Sequence, residues 1–203
     1  MAARMASERG VGLFEAALWL MALLPVSLVG ISVVALVHDR NHLSGVPSAV
    51  LRESPASGLR WVPDGDGGGF EPDFTQLRVH LSEVSRRAVD EAARGLLKAD
   101  LVSAKACFWI FSVNVRNGAL ETPIWSECDA RGPLAAGLSL ADELAYERER
   151  AHGISVGERD GYVDRVVVTG VVVGAEARHL LEPRVAYHFS KGAIAFARQE
   201  VVL

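Results

Sequence analysis

Residues Cys107-Phe108-Trp109-Ile110-Phe111-Ser112-Val113-Asn114-Val115-Arg116-Asn117-Gly118-Ala119-Leu120-Glu121-Thr122-Pro123-Ile124-Trp125-Ser126-Glu127-Cys128 read as one β-hairpin with a cysteine at each end. The first arm is rich in β-formers, and Asn117-Gly118 is a strong two-residue turn signal because both residues tolerate positive φ. A two-residue loop pairs Arg116 with Ala119, Trp109 with Ser126, and Cys107 with Cys128. Counted from the turn, the cysteines fall at a non-hydrogen-bonded pair, where Cα atoms stand about 4.5 Å apart. That lies near the short limit for a disulfide, about 4.4 Å. The cysteine face also carries Trp109, Phe111, Val113, Val115, Leu120 and Ile124, an apolar surface suited to the amphipathic helix that precedes the hairpin. Pro123 would oppose Ser112 at a hydrogen-bonded pair and has no N–H to give, so the second arm bulges there or lies at an edge.

Two other uses suit the cysteines less well. A metal site wants four ligands, and no histidine pair accompanies Cys107 and Cys128. A nucleophilic cysteine wants a base, and none stands close in sequence. A structural disulfide is the favoured reading, conditional on an oxidising compartment.

Upstream, Leu77, Leu81, Val84, Ala88, Ala92 and Leu96 recur at helical spacing, with charged residues mostly elsewhere around the helix. This amphipathic helix starts near Phe74, ends near Ala99–Ala104, and should bury its stripe on the sheet. His80 lies off the stripe and reads as a surface histidine. Downstream, Ser139 caps a short helix with Asp142 and Glu143 in its first turn. Glu147-Arg148-Glu149-Arg150 reads as a solvated helix face. Strands follow at 165–173, 184–189 and 193–202, with Lys191-Gly192 as the turn between the last two.

Residues 45–73 read as a flexible loop, opened by Gly45 and Pro47 and continued by Ser54-Pro55-Ala56-Ser57-Gly58. Its Asp64-Gly65-Asp66-Gly67-Gly68-Gly69 run lacks the later carboxylates of an EF-hand, so a solvated loop is favoured over a calcium site. Before it, Val11 to Val37 is apolar and uncharged except for Glu15. A transmembrane helix needs about 20 apolar residues, and this run exceeds that. A cleaved signal peptide has a shorter core, about 7–15 residues, and a small-x-small exit that Val33-Val34-Ala35-Leu36-Val37 does not offer. Pro25 lies mid-span, where a mild kink is tolerated.

The chain has 203 residues and a net charge of −4, without a basic block. Phosphate backbones need a concentrated positive face, so the charge pattern disfavours a nucleic-acid partner. Arg4 and Arg9 before the span favour the N-terminus on the cytoplasmic side. The remaining domain, and both cysteines, would then face an oxidising compartment. The six histidines are scattered; His38 and His42 share a helix face but have no further ligand nearby. No nucleophile, base and orienting group come together in the sequence, and the expectation is a protein that is not an enzyme, with no cofactor and no metal.

Glu15 carries the functional signal. A charge at mid-span costs roughly 2.5–3.5 kcal/mol on insertion scales, so an intramembrane carboxylate is a functional candidate by default. Arg9-Gly10 precedes it, with Glu15 the fifth residue after the glycine. This stretch, with Pro25, resembles the N-terminus of type IV-like prepilins, particularly the TadE/TadF-like minor pilins of tight-adherence (Tad) pilus systems. The resemblance covers about residues 9–40. Ala16 stands where those proteins commonly carry an aromatic residue.

The resemblance implies a leader at 1–10, cut between Gly10 and Val11 by a prepilin peptidase, and a transmembrane helix over 11–44. It implies an exported α+β domain over 74–203 and a place in the bacterial inner membrane. Partners would be other pilin subunits and the pilus assembly platform. The freed amine on Val11 would lie about one helical turn from Glu15, and a neighbour's amine could pair with that carboxylate inside the bilayer. The expected fold class is α+β: a long N-terminal transmembrane helix, then a small antiparallel sheet packed on an amphipathic helix. The competing reading is an uncleaved bitopic envelope scaffold whose domain binds another protein, with Glu15 snorkelling from its interfacial turn.

Overall fold

The computed structural model describes residues 2–53, 61–63, 70–114, 118–133, 140–152, 165–178 and 186–198. Helix α1 spans Ala2–Glu53 and helix α2 Phe74–Gly95, with a two-stranded ribbon of β1 (Trp61–Pro63) and β2 (Phe70–Pro72) between them. Strands β3 (Leu101–Val113) and β4 (Leu120–Arg131), helix α3 (Leu140–His152), and strands β5 (Arg165–Arg178) and β6 (Ala186–Arg198) complete the order. The main sheet is antiparallel throughout, ordered β4-β3-β5-β6. The fold is α+β, with a long apolar N-terminal helix.

α1 does not stop near residue 44. It continues through Gly45 and Pro47 to Glu53, so the expected 45–73 loop is helical over its first nine residues, 45–53, and also supplies the paired strands β1 and β2. Burial outweighs the helix-breaking tendency of those two residues, because Leu43, Val46, Val50 and Leu51 all enter the core. The Asp64–Gly69 run lies outside the described residues.

One hydrophobic cluster joins these α1 residues to Leu77, Leu81, Val84, Ala88 and Ala92 of α2. It also takes in Ala104, Ala106, Phe108 and Ile110 of β3 and Val167, Val171, Val173 and Ala175 of β5. A second cluster holds Cys107, Trp109, Phe111, Val166, Val168 and Val172 with Leu140, Leu144 and Ala151 of α3. The cysteine face of β3 therefore meets α3 and not the preceding amphipathic helix as expected; α2 shares its cluster with the opposite face. β3 is central and buried on both sides, so its two alternating residue sets are both apolar and neither marks α2's side.

α2 begins with Asp73, whose carboxylate accepts the N–H groups of Thr75 at 3.0 Å and Gln76 at 3.3 Å. It ends at Gly95, short of the expected stop. His80 is half-buried rather than a surface residue, its ring 5.6 Å from that of Phe108.

The hairpin register is reached by a different route from the one expected. Cys107 does face Cys128, and Trp109 faces Ser126. Beyond Ile110–Trp125 the register shifts twice, so that Phe111 opposes Pro123 and Val113 opposes Leu120. The turn closes between Asn114 and Ala119, with the Asn114 N–H donating to the Ala119 carbonyl at 2.9 Å. The Gly118 N–H donates back to the Asn114 carbonyl at 2.8 Å, and Gly118 has φ 66°. A two-residue turn pairing Arg116 with Ala119 is thus replaced by a longer connection, of which residues 115–117 lie outside the described part. Two irregularities in β4, one beside Pro123, restore the cysteine pairing.

β6 runs unbroken through Lys191-Gly192, which pair with Val173 and Val172 rather than forming a turn. The glycine serves close approach instead. A Cβ at Gly192 would stand 2.8 Å from Glu147 Cγ and 3.0 Å from Val172 Cγ2. The expected cap at Ser139 and the chain beyond Arg198 lie outside the described residues.

Candidate functional site: the apolar helix and its joint with the domain

Phe14 to Val37 of α1 projects from the rest of the molecule. Trp19, Met21, Val26, Ile31 and Val34 point in different directions around the helix and are all at least two-thirds exposed. A helix apolar on every side and uncovered is suited to lipid rather than to water. Glu15 is exposed near the start of this segment, and it is the segment's one charged residue. Gly10 and Val11 lie within the helical backbone, and their side chains fall outside the described part.

Just past the apolar run, α1 is fixed to the domain by Asp39. Its side chain is fully buried. Oδ1 accepts the Leu97 N–H at 2.7 Å, and Oδ2 accepts those of Lys98 and Ala99, both at 2.9 Å. These three N–H groups follow the end of α2, where the chain turns into β3, so one carboxylate satisfies donors that would otherwise be orphaned. One turn on, His42 Nε2 lies 3.3 Å from the Glu91 carbonyl, and its ring fills the space over Gly95, where no Cβ would fit. His42 is therefore a packing residue of the joint, while His38 is exposed. Nothing in its immediate sequence marks Asp39 as interior. The signal available was its place on the Leu36, Leu43, Val46, Val50 stripe, where an acid needs buried donors.

Cys107 and Cys128 are joined in a disulfide with Cα atoms 4.1 Å apart. Cys107 is buried beneath α3, and Cys128 lies on the exposed side of β4. The bridge ties the central strand to the edge strand well away from α1's projecting half.

Glu147 also differs from its sequence reading. It lies on the buried stripe of α3 with Leu140, Leu144 and Ala151, over Gly192, and is 2 % exposed. Arg150 Nη1 approaches both oxygens, 3.3 Å to Oε1 and 3.2 Å to Oε2, but only Oε1 is aligned for a hydrogen bond. Burial pushes its carboxyl above the usual range, against the pull of Arg150 and Lys191 and with the push of Glu143. Among the described residues, no three His, Cys, Asp or Glu side chains gather as a metal site would require.

Comparison with protein-family models, with curated proteins and with solved structures finds no match for this chain.

Proposed function

We propose that this chain is a membrane-anchored structural subunit, a pilin-like minor subunit that helps assemble or prime a Tad-type pilus. The observation that carries the reading is Glu15: a lone carboxylate, the fifth residue after Gly10, at the head of an otherwise uncharged and uncovered apolar helix. In bilayer an unpaired carboxylate is costly, and a neighbouring subunit's Val11 amine would be its natural partner. The Cys107–Cys128 bridge supports a domain on the oxidising side of a bacterial inner membrane, with the short N-terminus in the cytoplasm. The role is structural rather than enzymatic, and its partners are other pilin subunits, the assembly platform, the prepilin peptidase and the membrane. The decisive experiment is N-terminal sequencing or intact-mass analysis from the native host. A start at Val11 is expected; an intact leader in membranes overturns the pilin reading.

The second reading is an uncleaved bitopic scaffold with a protein-binding extracytoplasmic domain. It is favoured by α1 running as one helix across Gly10 and Val11, because a peptidase acts on a backbone it can open.

A further inference from the structure

The clamp at Asp39 fixes the height of the domain along α1, and that height has a consequence for its underside. Asp39 is two residues past Val37, the last residue of the apolar run, which is about 3 Å of helical rise. Leu97, Lys98 and Ala99 are bonded directly to it. The α2–β3 connection therefore stands at the level where the apolar run ends. Leu97 is 68 % exposed there.

Sheet register brings two more residues to the same level. Leu101 pairs with Glu176, and the Asp100 N–H donates to the Glu176 carbonyl at 3.1 Å. Continuing that register sets Arg178 beside Ala99 and Ala177 beside Asp100, and Ala177 pairs with Tyr187, which is 42 % exposed. Arg40 is exposed on α1, one residue past Asp39. This end of the domain thus carries Leu97 and Tyr187 with three cations, Arg40, Lys98 and Arg178. None of the three has an ion-pair partner among the described residues, whereas Arg78, Arg86, Arg87 and Arg94 of α2 all do. Of the described acids at this end, Asp39 is consumed by the clamp and Glu176 lies 3.6 Å from His188, which leaves Asp100 exposed.

We propose that this end of the domain is a lipid-docking surface, seated on the phosphate headgroups of the same bilayer that α1 enters. Leu97 dips into the interface, Tyr187 lies at headgroup depth, and Arg40, Lys98 and Arg178 meet lipid phosphates. An aliphatic and an aromatic side chain flanked by cations is the composition that the interface favours over either water or hydrocarbon. The effect is to hold the sheet at a fixed tilt on its helix instead of leaving it to swing. The proposal rests on the membrane reading of α1, and the test separates the two.

Both native cysteines are in the disulfide, so Leu97→Cys gives the full-length chain a single thiol for an environment-sensitive fluorophore. The protein is reconstituted in phosphatidylcholine vesicles containing phosphatidylglycerol, with nitroxide lipids as quenchers. Val29→Cys, within the span, and Val79→Cys, on α2 about 25 Å from the joint by helical rise, are the reference sites. The label at 97 should shift to the blue and be quenched by headgroup-level nitroxides, while the label at 79 should not. The label at 29 should be quenched by chain-end nitroxides. If 97 behaves like 79 while 29 is quenched, the span stands and the docking surface is overturned. If 29 is not quenched either, the membrane reading falls and takes the docking surface with it. A blue-shifted but unquenched label at 97 that crosslinks to another copy would replace lipid by protein and overturn the proposal. Lys98→Ala with Arg178→Ala should lower the docked-to-undocked ratio by about fivefold per cation on the anionic surface. Unchanged quenching in that double variant would remove the phosphates from the proposal.

Discussion

The Asp39 carboxylate receives the Leu97 N–H at 2.7 Å across 58 residues of chain. This contact converts a protruding apolar helix and a separate sheet into a single mechanical piece. The part of α1 before Asp39 is left free of the domain, since Leu43, Val46, Val50 and Leu51 beyond it belong to the core.

Asp39→Ala should destabilise the folded domain by about 3 kcal/mol, because three backbone donors at the end of α2 lose their acceptor. Asp39→Asn should be milder, as its carbonyl oxygen can still accept while its amide group faces donors. Urea unfolding of the full chain in mild detergent, followed by tryptophan fluorescence, measures both. A stability equal to wild type in the alanine variant would mean that water satisfies these groups and that the joint is held by packing alone.

The Cys107–Cys128 bridge, with a sequence separation of 21, should contribute roughly 3 kcal/mol in the chain-entropy description. Cys128→Ser leaves a small polar residue at an exposed position and so reports the loss of the cross-link with little repacking. Thiol labelling of the exported protein without reductant should find no free cysteine. Two reactive thiols would place the domain in a reducing compartment.

Glu15→Gln keeps the shape of the side chain and removes its charge. On the pilin reading, insertion and the fold of the domain stay unchanged, and pairing with partner subunits fails for want of a carboxylate opposite an amine. Pilus formation and crosslinking to partner subunits, at wild-type expression, are the measurements. Normal assembly would leave Glu15 as an interfacial residue on an ordinary anchor.

Glu147 gives a pH dependence of defined sign. Its carboxyl is raised by burial, so the folded state holds its proton to higher pH than the unfolded chain does. Its contribution is therefore fully present at acid pH and is lost as pH rises from the usual carboxylate range through the raised folded value. Glu147→Gln should stabilise the domain near neutral pH and match wild type at acid pH. The check is the stability difference between the two proteins as a function of pH. A constant difference would show that Arg150 compensates the buried charge.

Much of this architecture is local and so is written in local sequence. The apolar run to Val37, the period of Leu77, Leu81, Val84 and Ala88, and the β-formers from Cys107 onward each record a side-chain pattern that an isolated element already needs. The Cys107–Cys128 pairing was legible too, though only because two offsets in β4 cancel the longer turn between Asn114 and Ala119. Turn chemistry identified the hairpin, and cross-strand packing around Pro123 set its register.

What sequence alone determined was the apolar helix with its lone carboxylate near the head, the amphipathic helix that follows, and the cysteine-bearing hairpin. What only the tertiary structure decided was which polar residues are interior. Asp39 and Glu147 resemble any helix-surface acid, and Gly192 any turn glycine, until other segments close over them. Their burial depends on groups tens of residues away: the N–H groups of 97–99 for Asp39, and the strand surface at Gly192 for Glu147. Hydrophobic periodicity reports the neighbours an element needs on average. A buried charge is settled by the particular donors that the fold brings to it, and those lie far away in the chain.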